Sequence, residues 1–84
     1  MTYKEKFNNE TNWKRKVFIV ELFHCHMLLK FGKKWKLKRT AIYFQKSISL
    51  ISEDIKIAKF LTDNHHLNGS LTSRNEALKL MRKK

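Results

Sequence analysis

A chain of 84 residues with no proline and only two glycines, Gly32 and Gly69, has almost nothing with which to turn sharply or to interrupt a helix. A β fold of this size needs many tight turns, whereas helices joined by short polar connections need few breakers. The sequence therefore predicts an all-α protein, a small helical domain of about four helices. A chain this short buries only a modest core, so every well-packed apolar side chain matters to its stability.

Residues 1–10 show no clear apolar period and are expected to form a loose N-terminal arm or a frayed first turn, with residues 11–84 forming a single domain. From Thr11 the pattern becomes helical. Thr11 or Asn12 can cap exposed amides, and Trp13, Val17, Val20, Met27 and Phe31 recur at spacings of three, four or seven until Gly32 supplies a stop. Phe18, Ile19, Leu22 and Leu29 lie off that stripe, so the helix carries two apolar faces and needs two partners. Either it sits centrally, surrounded by its own chain, or the helix around residues 13–31 forms a homodimer seam.

Leu37 to Phe44 reads as a short helix with Ala41 and Phe44 inward, followed by a break at Gln45-Lys46-Ser47. Ser47 is a good N-cap for a further helix running to about Leu61, with Ile51, Ile55, Ala58 and Leu61 on one stripe and Ser49, Ser52, Glu53, Lys56 and Lys59 on the other. Two helices across a three-residue turn form a helix-turn-helix pattern, with its core at about residues 37–61. Thr62 to Thr72 reads as a polar loop. A last helix is expected from Ser73, where Ser73 and Glu76 have capping-box spacing, and Arg82, Lys83 and Lys84 place positive charge at its negative end.

The 19 Lys and Arg against seven Asp and Glu give a formal charge of +12, which directs the chain toward polyanions. Six of the ten residues from Lys30 to Arg39 are basic, with Phe31, Trp35 and Leu37 between them. Trp35 is expected in the core with the lysines pointing outward to phosphates. The single cysteine, Cys25, excludes an internal disulfide and gives no sign of an oxidising compartment. The most apolar stretch, Val17 to Leu29, is interrupted by Glu21, His24 and His26, too short and too polar to span a bilayer, and too far along the chain to resemble a signal peptide. The expected location is cytoplasmic and nucleoid-associated, or in a virion if the protein is phage-encoded.

The run from Trp35 to Lys59 resembles the helix-turn-helix of partition-type, ParB-like DNA-binding proteins. The resemblance rests on Thr40-Ala41, on Tyr43-Phe44 before the turn, on Ser47 after it, and on Ile51-Ser52 and Asp54-Ile55-Lys56-Ile57-Ala58-Lys59. Ser73 to Lys79 resembles the segment that closes such domains. The resemblance implies that the residues from Ser47 through Lys56 form a recognition helix presenting Ser47, Ser49, Ser52 and Lys56 to the major groove. Glu53 shares that face, where a carboxylate repels phosphate unless it accepts from a cytosine amino group. Lys33, Lys34, Lys36, Lys38, Arg39, Thr40 and Lys46 are the candidate phosphate contacts. The chain departs from the family pattern where Gln45 takes a turn position usually given to Gly, so its backbone either avoids a positive φ or accepts strain. Lys46 replaces a small apolar turn residue, and Lys36 replaces the usual cap.

His24-Cys25-His26 has the chemistry of zinc ligands, but three adjacent helical residues fan out by about 100° each and do not converge on one ion. The same divergence separates Cys25 from a histidine base. With no Gly-rich phosphate loop and no inward carboxylate pair, neither catalysis, a cofactor nor a metal is expected. The expected function is non-enzymatic binding of nucleic acid, most of all double-stranded DNA, in a regulatory or partition-like role. One alternative is a phage or mobile-element structural or assembly protein that binds a protein partner or coats nucleic acid. Another is an RNA-binding accessory protein. A membrane-surface role fits worst, because the basic residues do not line one long amphipathic helix.

Overall fold

The computed structural model describes residues 2–82 and is helical throughout, with five α-helices and no strand among the described residues. The helices are α1 (Tyr3–Asn9), α2 (Trp13–Phe31), α3 (Leu37–Phe44), α4 (Ile48–Asp63) and α5 (Arg74–Arg82). Lys83 and Lys84, expected to cap the charge of the last helix, lie outside the described residues.

Residues 2–10 correct the expectation of a loose arm. Thr2 and Glu5 close a capping box, in which Thr2 Oγ1 accepts from the Glu5 amide at 3.1 Å and the Thr2 amide donates to the Glu5 carboxylate at 3.3 Å. Phe7 is buried against Phe44, with ring centroids 5.1 Å apart, and the Lys4 amide donates to the Tyr43 hydroxyl. A helix of two turns with one buried side chain has too few residues to print a period, although the cap that starts it is plain.

α2 begins at Asn12, whose side chain accepts from the Lys14 amide, and stops at Gly32, where φ is 64°. Its inner side buries Val17, Val20 and Phe23 and packs chiefly on α4. The core has two parts strung along this helix pair. One gathers Phe7, Val20, Phe23, Phe44, Ile51 and Ile55, and the other gathers Val17, Ile57, Ala58, Leu61, Leu71 and Ala77. Aromatic rings dominate the first part: Phe23 stacks on Tyr43 at 4.1 Å and meets Phe44 edge-on at 5.2 Å.

α3 and α4 run as the sequence predicts, separated by Gln45, Lys46 and Ser47. Gln45 takes the strained alternative, with φ 57° and ψ 43°, and its amide and that of Lys46 satisfy the last carbonyls of α3. Ser47 Oγ accepts from the Leu50 amide and starts α4. The expected polar loop is more ordered than its composition suggests. α4 continues to Asp63, a 3-10 segment covers His65–Ser70, and Leu71 is buried.

The capping box expected at Ser73 is redistributed. Ser73 Oγ accepts from the Glu76 amide at 3.3 Å, but the Glu76 carboxylate returns to Thr72, accepting from its amide at 3.3 Å and its hydroxyl at 2.7 Å. Those two hydrogen bonds hold Glu76 below the ordinary carboxylate value.

Candidate nucleic-acid interface

The outward stripe of α4 is set by its burial pattern. Ile51, Asp54, Ile55, Ile57, Ala58 and Leu61 face inward, which leaves Ser49 and Lys56 exposed along the middle of the opposite side. Ser52 flanks them toward α2, and Glu53 flanks them toward α5. Lys59 continues the stripe about one turn beyond Lys56 and belongs with the site residues, although it is absent from the candidates above. Ser49, Ser52 and Lys56 are thus brought onto one surface. Ser47 lies at its start with its oxygen committed to the helix cap.

Glu53 does not stand free on this surface. Arg74 of α5 donates to its carboxylate at 3.0 Å and to Asp54 at 2.9 and 3.0 Å, so one guanidinium serves an exposed and a buried acid together. Burial pushes the Asp54 carboxyl above the ordinary carboxylate value, against the opposing hydrogen bond and charge of Arg74. Arg74 therefore offsets part of the negative charge that Glu53 and Asp54 bring to this side of α4. Nothing in local sequence joins residues 53 and 74, and only the return of the chain through α5 brings them together.

The basic segment is held down by a hydrogen-bonded chain. The Trp35 indole Nε1 donates to Thr40 Oγ1 at 2.8 Å, and His24 Nδ1 lies 2.6 Å from the same oxygen. Trp35 also packs edge-on against Phe23 and stacks on Phe31. These contacts fix the 3-10 turn Gly32–Lys34 and the start of α3 against α2, while Lys33, Lys34, Lys36, Lys38 and Arg39 remain exposed. Lys46 is exposed in the turn before α4. Lys36 supplies no side-chain cap, so the first amides of α3 open among these cations.

Thr40 is a correction. It is 0 % exposed, with its hydroxyl occupied by Trp35 and His24, and it reaches no phosphate. Its position was readable: Leu37, Thr40, Ala41 and Phe44 stand at the i, i+3, i+4, i+7 spacing of an inward stripe, and the hydroxyl disguises that register. His24 in turn is held below the ordinary imidazole value, first by burial and then by the charge of Lys59.

Cys25 is exposed beside His24, and His26 Nδ1 lies 3.5 Å from the Tyr3 hydroxyl, so the His-Cys-His run diverges around α2. Among the described residues, no three His, Cys, Asp or Glu side chains gather to hold a metal ion. No helix among them is long and apolar enough to cross a membrane. No family model matches this chain, and neither a curated protein nor a solved structure matches it.

Proposed function

We propose that this chain is a non-enzymatic DNA-binding protein in which α3, the turn and α4 act as a helix-turn-helix. In this reading the exposed stripe of α4 enters the major groove, with Ser49, Ser52 and Lys56 toward base edges. Lys33, Lys34, Lys36, Lys38, Arg39 and Lys46 grip the flanking phosphates. The observation that carries the reading is the position of the basic segment. Trp35, Thr40 and His24 pin it at the foot of α3, and Leu37 borders the same hollow between α2 and α4 as Ser52 and Lys56. The pairing of Glu53 with Arg74 adds support, because it partly offsets the charge most hostile to that geometry. The partition-type resemblance of residues 35–59 suggests a regulatory or partition-like role.

Binding to duplex DNA tests this directly. Lys38→Ala/Arg39→Ala is expected to weaken every duplex about equally. Ser49→Ala/Lys56→Ala is expected to reduce discrimination among duplex sequences more than it reduces overall affinity. Preference for structured RNA over duplex DNA at matched salt would instead make the partner RNA.

A structural or assembly role is favoured by one separate observation, the apolar side chains that α2 leaves exposed.

A further inference from the structure

Thr40 is the middle member of a three-residue chain in which chemistry fixes the direction of each hydrogen bond. Its side chain is buried, and an indole can only donate, so the Thr40 hydroxyl oxygen accepts from Trp35 Nε1 at 2.8 Å. The hydroxyl hydrogen then needs an acceptor of its own. Thr62 on α4 gives its hydrogen to the Ala58 carbonyl four residues back. Thr40 makes no such bond among the described residues, and its other partner is His24 Nδ1 at 2.6 Å. Nδ1 therefore accepts, which places the proton of the neutral imidazole on Nε2. The chain runs one way, from Trp35 through Thr40 to His24.

A second proton on His24 turns Nδ1 into a donor. Two donors then face one buried hydroxyl, whose own hydrogen has lost its acceptor. The charges around the ring do not offset this. From α4, Lys56 and Lys59 line the same hollow of about 280 Å³ as His24 and Cys25. From α3, Arg39 lies 5.9 Å from the Trp35 ring, and no Asp or Glu occurs between Glu21 and Glu53. Glu21, three residues before His24 on α2, lies under the charges of Lys59 and Asp63. On the α1 side the Tyr3 hydroxyl meets His26 instead. Burial and the charge of Lys59 both hold His24 toward its neutral form. We propose that His24 is a proton-operated latch on the basic segment: the neutral ring holds the Trp35 indole through Thr40, and the protonated ring releases it. Acidification thus loosens the 3-10 turn Gly32–Lys34 and the start of α3, which carry the densest run of cations.

Nitrogen-15 NMR of the full chain between about pH 7.5 and pH 5 tests the latch without nucleic acid, so it holds or fails separately from the DNA reading. At the upper end His24 is expected as the Nε2–H tautomer, with the Trp35 indole Nε1–H protected from solvent exchange. As pH falls, that protection is expected to drop about tenfold, with the same midpoint as the His24 ring titration. The Trp13 indole, which donates to the Thr72 carbonyl, is the internal reference and is expected to show no such step. His24→Gln offers an acceptor that takes no proton, so Trp35 should stay protected across the whole range. Thr40→Val removes the relay and should leave Trp35 unprotected throughout. An Nδ1–H tautomer, protection unchanged through the His24 titration, a step that survives in His24→Gln, or protection retained in Thr40→Val would overturn the proposal.

Discussion

Arg74 reaches from α5 to two carboxylates on α4, and the two differ in what they lose without it. Glu53 is exposed enough for water to replace the guanidinium, whereas the side chain of Asp54 is 5 % exposed and would be left charged and unpaired. Arg74→Ala is expected to destabilise the fold by about 2–3 kcal/mol at neutral pH, and Asp54→Asn in that background should recover much of the loss. Denaturant unfolding of the three proteins measures both effects. A double variant no more stable than Arg74→Ala would show that the cost lies elsewhere.

His24 gives the opposite kind of dependence. Its folded-state value lies below the unfolded one, so the folded protein binds fewer protons than the unfolded chain just below the ordinary imidazole value of 6.5. The stabilising contribution is complete above that value and is lost as pH falls through the window beneath it. Asp54, whose value is raised, titrates in the other sense above 3.8, favouring the fold as it protonates. The His24 contribution therefore appears as a difference. Stability of the unmodified protein should fall between pH 7.5 and 5.5 more steeply than that of His24→Gln, as measured by unfolding midpoints across that range. Parallel curves would mean that the imidazole is unperturbed.

Among the elements, α1 separates a folded segment from a tethered arm. Phe7→Ala removes a ring buried against Phe44 and Phe23's side of the core and is expected to cost about 3 kcal/mol in denaturant unfolding. A loose arm would leave stability within about 0.5 kcal/mol. The contrast with α2, α3 and α4 explains what a sequence makes legible. Both ends of α2 and the start of α4 are marked by residues that act locally: Asn12 and Ser47 accept from amides two or three residues on, and Gly32 takes a positive φ at the stop. Their faces repeat often enough to be counted. α1 offers one buried residue, so only its cap speaks for it. The site divides similarly. The shared stripe of Ser49, Ser52 and Lys56 follows from helical period alone, but the Glu53–Arg74 pair depends on how the chain returns through α5. Thr40 shows register outweighing residue type, since its place on the stripe with Ala41 and Phe44 buries a side chain that composition assigns to the surface.

At the scale of the molecule, the formal charge of +12 is spread along the chain, and its densest run, six basic residues in ten from Lys30 to Arg39, lies where α2 hands over to α3. The central claim is the proposal that this basic run grips duplex DNA, and salt dependence is its most direct measure. Binding of a labelled random duplex should be followed by fluorescence anisotropy from low to moderate salt. With roughly six phosphates neutralised, the logarithm of affinity is expected to fall against the logarithm of salt with a slope near −5, and Lys38→Ala/Arg39→Ala should reduce that slope by about 2. Affinity that ignores salt, or a slope untouched by removing those two cations, would contradict the account.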